Sequence, residues 1–358
     1  MWLHGCNYPW STDGTTIFYG LDFGANVWGS HVGVSTRRDA IARDFAEMAA
    51  LGFTATRWFV FADGRSGIVY DDRGLPLQPD PHLFTDMDAA LEIGRASGVR
   101  IDFVLLDHRW MFDGVRETIA DVATGALLEG RLPHGRADVL HSSAGRTALI
   151  DRIFLPIVRR YGRFGERSDL SEQVLAYELM NEPDFIIDEW ERDLSTHVSR
   201  PLPFEVLGEM VSRLSDTVHE YSSALATLGC ARVHNLWAWD DDALGLDVLQ
   251  VHTYPDTKHR SREDDLFGTR AADLGVKRPV IIGEFPADAP RHHPPSATPP
   301  PTTLEQYLEF AVNVGYVGAW PWSFSGTDAY GTIPREPLRR FAERYPSLVH
   351  PDAVLSRG

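Results

Sequence analysis

Residues 174–184 read VLAYELMNEPD, a largely apolar run closed by an amide, a carboxylate and a proline. Proline has no N–H to give a neighbouring strand, so the ladder stops there and Asn181 and Glu182 fall at the strand's C-terminal edge. Further along, the run PVIIGEFP (279–286) repeats the arrangement, with Glu284 as its one charge near the corresponding edge. An unpartnered buried carboxylate costs several kcal/mol, so an acid ending an apolar strand needs either a pairing cation or a chemical task.

These two runs belong to a series of eight, rich in β-branched and aromatic residues: Trp2–Tyr8, Thr54–Phe61, Arg100–Asp107, Val174–Glu182, Arg232–Trp239, Val248–Pro255, Pro279–Pro286 and Val317–Phe324. Most are separated by stretches of 3.6-residue period. Arg37–Leu51 and Leu83–Ser97 each end just before a glycine, and Gly145–Tyr161, Pro203–Leu228, Thr303–Val314 and Glu336–Arg344 read the same way. The link Asp240–Asp247 is too short for a full helix. Alternation of strands and helices predicts a parallel sheet, and eight strands predict a closed (β/α)8 TIM barrel, one domain over residues 1–358. Long connections follow strand three (Trp110–Leu140) and strand seven (287–303, Pro-rich), at the barrel face where active sites are built.

The chain has 358 residues, 43% of them hydrophobic, enough for one large core. A net charge of −17 and no basic stripe argue against nucleic acid or an anionic membrane as partner. Cys6 and Cys230 stand far apart in no metal-binding or disulfide pattern, and His292–His293 has no Cys or carboxylate at ligand spacing. No strand carries a His-x-His pair that, with His108, His134 or His252, would mark a metal-dependent hydrolase. No metal or cofactor is therefore expected. The start, MWLHGCNYPW, has neither a basic nor an apolar leader segment, so the expected location is the cytoplasm, or outside the cell if a leader was trimmed.

Strands four and seven face each other across a barrel mouth. Two carboxylates about 5–5.5 Å apart there suit double-displacement glycoside hydrolysis, with Glu284 attacking and Glu182 serving as acid and then base. In TRWFVFADG (56–64) Arg57 points inward, where a guanidinium beside Glu284 holds it ionised. His252 and Tyr254, two apart in VHTYPD, share a strand face and can each serve one carboxylate. In GAWPWSFSG (318–326) Trp320 and Trp322 share a face, Trp322 as the floor of the sugar site and Trp320 deeper. LLDHRWMFDG (105–114) brings Asp107, His108 and Trp110 to the rim, as sugar contacts or equally as loop anchors. Each residue alone fits an ordinary ion-pair or core role, and only the constellation favours chemistry.

NEP closing strand four, H-x-Y on strand six, GEF on strand seven and W-S on strand eight resemble the retaining (β/α)8 glycoside hydrolases of the cellulase-like clan, family 5 above all, through nearly the whole chain. GFTATRWFVFADG, with Arg57 followed by the aromatic run from Trp58, is similar to the strand-two segment of β-mannanases, as LLDHRWMFDG and LQVHTYPD are to their strand-three and strand-six endings. The resemblance implies hydrolysis of β-mannosidic linkages in mannan or manno-oligosaccharides. It gives Arg57 to the nucleophile, Asn181 to the sugar 2-hydroxyl, His252 and Tyr254 to orienting the carboxylates, and Trp322 to the sugar floor. Pro286 and His108 depart from the family, which has Gly and Asn there. Alternatives are a β-1,4-glucanase or exo-β-glycosidase of the same clan, or a pseudoenzyme that binds carbohydrate without cleaving it.

Overall fold

Eight parallel strands form one sheet whose spatial order is their chain order: β1 (Gly5–Asn7), β2 (Ala55–Phe59), β3 (Arg100–Asp107), β4 (Val174–Asn181), β5 (Leu225–Cys230), β6 (Leu249–His252), β7 (Val280–Pro286) and β8 (Gly318–Trp322). The sheet closes on itself. Leu3 bridges Gly318, the Phe324 N–H donates to the Asn7 carbonyl at 2.8 Å, and Asn7 Nδ2 donates to the carbonyls of Gly283 (2.8 Å) and Trp320 (3.0 Å). The (β/α)8 barrel expected from the sequence is thus the fold. The computed structural model describes residues 2–11, 20–27, 29–112, 136–190, 198–254, 266, 268–287, 303–324, 326 and 332–349, and the backbone of a hairpin pairing Arg116–Ala120 with Leu127–Arg131 in the long connection after β3. His134, His292–His293 and most of the connection after β7 lie outside the described residues.

Side-chain alternation sorts the strands into two faces. On β2, Trp58 points outward onto Phe45 of helix Arg38–Ala50, whereas Arg57 and Phe59 point into the barrel beside Asp102 and Val104. The interior is layered, as barrel interiors are. At the N-terminal end Trp320 packs with Ala55, Leu175, Ala176, Val248 and Ile281. Its indole fits because β1 offers Gly5, where a Cβ would lie 2.6 Å from Trp320 Nε1. The middle layer is polar and sealed from solvent: Asn7, Arg57, Asp102, Glu178, Thr227 and Gln250. Above it Phe59, Ala62 and Val104 support Trp322 at the mouth.

Helices Arg38–Ala50 and Leu83–Ser97 end as their sequences predict, with Gly52 (φ 87°) and Gly98 (φ 71°) in left-handed conformations beyond them. The span Gly145–Tyr161 is helical but broken into Ser143–Leu149, a π-turn at Ile150–Phe154 and Leu155–Arg160. Pro156, which has no N–H to continue an i to i−4 ladder, sits in the first turn of the last piece.

At the fifth strand the structure departs from the sequence expectation. Arg232–Trp239 is not a strand but a 3-10 turn, Val233–Asn235, leading into helix Leu236–Trp239. The strand is Leu225–Cys230, whose first residues fall within the helical span expected over Pro203–Leu228; that helix ends at Tyr221. LATLGC lacks the β-branched density of the other strands. Gly229 has a packing reason: a Cβ there would stand 2.6 Å from Glu178 Oε1 and 2.9 Å from His252 Nε2. Crowding inside the barrel therefore selects against the side chains that signal a strand. Among the described residues no helix is long and apolar enough to cross a membrane.

Candidate active site

Glu182 follows the last residue of β4 in a left-handed conformation (φ 49°, ψ 51°), which costs a non-glycine residue about 1–2 kcal/mol. Its N–H donates to the Gly229 carbonyl at 2.7 Å, and the carboxylate of Asp184 just beyond accepts from Ala231 N–H (2.7 Å) and Asn235 Nδ2 (2.8 Å). These bonds to β5 and the loop after it hold the turn that sends the Glu182 side chain over the barrel mouth. Local strain maintained by its surroundings is a common mark of a functional position.

Glu284 reaches the same place from β7. One oxygen of Glu182, one of Glu284 and a ring nitrogen of His252 all lie within 4.8 Å of one another. His252 Nδ1 is 3.1 Å from Glu182 Oε1 and 3.5 Å from Glu284 Oε1, so the imidazole sits between the two acids. Each Glu284 oxygen has its own donor, Arg57 Nη1 at 2.6 Å on Oε1 and the Tyr254 hydroxyl at 2.7 Å on Oε2. Among the described residues Glu182, His252 and Glu284 are also the one cluster of three groups within metal-ligand reach. Guanidinium and phenol already occupy both Glu284 oxygens, an environment that competes with a cation.

Burial pushes the Glu284 carboxyl above its usual 4.5, against the opposite pull of His252, Arg57 and Tyr254, while the charge of Glu182 adds to the rise. The guanidinium stands where the sequence predicts it, yet desolvation outweighs it. Burial alone also disfavours charge on Arg57, but the carboxylates of Glu178 and Glu284 overcome this and raise its pKa.

Asn181 joins the site through both ends of its amide, accepting from Arg57 Nη2 (2.7 Å) and donating to Asp107 Oδ2 (2.7 Å). His108 lies beside the acids, its Nδ1 3.5 Å from Asp107 Oδ2 and 3.8 Å from Glu182 Oε2, with its ring against Phe185. Trp322 is half-buried at the mouth, edge-on to Phe59 and Trp10. The peptide after it, Trp322–Ser323, is cis.

Trp58 and Trp110 are not brought to the mouth, and Trp320 lies deeper than Trp322, as expected. Trp58 faces the helices and donates to Asp22 Oδ2 at 2.8 Å, because it is one residue out of phase with Arg57. Trp320 shares the inward face of Trp322 but lies two layers lower, its Nε1 bonded to the Leu3 carbonyl. Trp110 is 1% exposed and lies so close to Gly64 that a Cβ there would stand 2.8 Å from its ring. Sequence reasoning missed Glu178, Asp102 and Gln250, which share the middle layer with Arg57 inside the barrel, and Asn7, which accepts from Arg57 Nη1 at 3.0 Å. The signal available for Glu178 was an acid in mid-strand on the inward face.

A parallel eight-stranded barrel that gathers two carboxylates at its C-terminal mouth, one of them clasped by a guanidinium and a phenol, has the architecture of the retaining glycoside hydrolases. The chain is similar to proteins named for mannan. A mannan endo-1,4-β-mannosidase of Mytilus edulis is 21% identical over 345 residues, spanning 90% of this chain and 83% of that one. The structure of the β-mannanase from the same mussel matches with TM-score 0.69 at 20% identity, over 97% of this chain and 92% of that chain. A β-1,4-mannanase of the sea hare Aplysia kurodai matches with TM-score 0.70 at 18% identity, over 96% and 93%. An exo-β-1,4-mannosidase from an Opitutaceae bacterium matches at TM-score 0.55 and 16% identity, over 97% of this chain and 60% of that chain. No family model matches the chain.

Proposed function

We propose that this protein is a retaining β-glycoside hydrolase acting on β-mannosidic linkages of mannan or manno-oligosaccharides. One observation carries the mechanism: an oxygen of Glu182 and an oxygen of Glu284 lie within 4.8 Å of each other, with His252 between them. That spacing fits a double displacement, whereas an inverting enzyme needs about 6.5–9.5 Å to admit water between its acids. The named activities of the mussel and sea hare proteins support the substrate class.

Glu284, oriented by Arg57 and Tyr254, attacks the anomeric carbon while Glu182 protonates the departing oxygen. A glycosyl ester and a free sugar result. Glu182, now ionised, takes a proton from water, which displaces the ester and frees Glu284. Asn181, held between Arg57 and Asp107, is placed to meet a sugar hydroxyl, and Trp322 offers an aromatic face to the ring. Replacing Glu284 by Ala is expected to abolish turnover of an aryl β-mannoside, with azide restoring activity by filling the emptied nucleophile position. Full activity in that variant removes the role assignment. The likeness to an exo-β-1,4-mannosidase favours a second reading, release of single mannose units. Early products from mannohexaose separate the two: mannose with mannopentaose for exo action, mixed shorter oligosaccharides for endo action.

A further inference from the structure

Arg57 has five N–H groups, and the structure gives each an acceptor. Nε and Nη2 donate to the two oxygens of Glu178 at 2.5 and 2.7 Å. The second Nη2 hydrogen serves Asn181 at 2.7 Å, and Nη1 serves Glu284 at 2.6 Å and Asn7 at 3.0 Å. The parallel pair to Glu178 is the rigid element of this set, because a two-pronged carboxylate–guanidinium contact fixes the plane of both groups. Once that plane is fixed, the direction in which Nη1 meets Glu284 is fixed too.

Glu178 is itself held. It is 0% exposed, Gln250 Nε2 donates to its Oε2 at 3.1 Å and to Asp102 Oδ2 at 2.9 Å, and the bare Cα of Gly229 walls its other oxygen. Burial, together with the charge of Glu178, pushes Asp102 up to about 8, against the pull of Arg57 and Gln250. Glu178 and Glu284 are the two carboxylates that accept hydrogen bonds from the one guanidinium.

We propose that Glu178 is a positioning residue which, through Arg57, sets both the direction of the guanidinium toward Glu284 and the share of its charge that Glu284 receives. This rests on the reading of Glu284 as nucleophile. Glu178 does not touch the anomeric centre; it acts one group removed.

A purely structural counter-ion for a buried arginine predicts lost stability and nothing more, so the test reads the ionisation of Glu284. That carboxyl is faced by Arg57 from β2, Glu182 from β4 and His252 and Tyr254 from the end of β6, with Glu178 and Asp102 behind Arg57. Glu178→Gln keeps the shape and removes the charge, leaving Arg57 to Glu284. The acidic limb of the kcat/KM profile is expected to move to lower pH by about one unit. Glu178→Asp keeps the charge but shortens the arm, so kcat is expected to fall by about 100-fold, the scale of a 1 Å misplacement, with KM and the acidic limb unchanged. An acidic limb unmoved in folded Glu178→Gln, or wild-type kcat in folded Glu178→Asp, overturns the inference; if one variant fails to fold, the other decides. A wild-type protein that turns over no β-mannoside, or a Glu284→Ala variant as active as wild type, overturns the underlying reading instead.

Discussion

Replacing Tyr254 by Phe removes one donor from Glu284 and leaves the ring in place. The hydroxyl is 2.7 Å from Glu284 Oε2 in a site where both groups are buried, and it lowers the carboxyl's pKa. A hydrogen bond to a charged group contributes about 1.5–3 kcal/mol. If that preference for the ionised form is lost, the Glu284 pKa rises by about one to two units, at 1.36 kcal/mol per unit. The sign follows from the chemistry: Glu284 must be ionised to attack, so activity appears only as pH climbs through its pKa, and a higher pKa moves the acidic limb of kcat/KM to higher pH. The profile is measured on an aryl β-mannoside from pH 3 to 9, beside the melting temperature, which loss of this one bond should lower by no more than a few degrees because the packing stays. An acidic limb that stays in place, or moves to lower pH, refutes the assignment of that limb to Glu284 under the control of Tyr254.

Gly229→Ala places a methyl 2.6 Å from Glu178 Oε1 and 2.9 Å from His252 Nε2; overpacking should destabilise the protein by about 1–3 kcal/mol and reduce kcat, as calorimetry and steady-state kinetics can show. Unchanged kcat would mean the walls of the site can give. Trp322→Ala should raise KM about two- to tenfold through loss of an aromatic sugar contact while kcat holds. A fall in kcat alone contradicts the floor role. Asp102 has a folded-state pKa raised from 3.8 to about 8, so its stability contribution is complete below 3.8 and disappears as pH rises through 8. Asp102→Asn does not titrate, so the melting temperature of the variant relative to wild type should improve between pH 5 and pH 9, and a constant gap would deny the shift.

The barrel was legible because seven of its strands carry apolar, often β-branched runs bounded by breakers, and helices such as Leu83–Ser97 announce their ends with glycine. The fifth was hidden at Gly229, where the interior leaves no room for a side chain. Residues at strand ends were placed well by sequence, since a polar group closing an apolar run is costly there unless it has a partner or a task. Arg57, Asn181, Glu182, His252, Tyr254 and Glu284 do converge. The tryptophans were harder. Trp58, Trp110 and Trp320 are as apolar as Trp322, and only register and depth separate a ring at the mouth from core. Glu178 and Gln250 escaped because they lie in mid-strand, where inward direction becomes meaningful only after the sheet closes.

Stereochemistry at the anomeric carbon tests the double displacement most directly. Proton NMR of the sugar released in the first minutes from an aryl β-mannoside should show the β-anomer, which then mutarotates, because two displacements at one carbon restore its configuration. Initial appearance of the α-anomer would mean a single displacement, and Glu284 could not be the nucleophile.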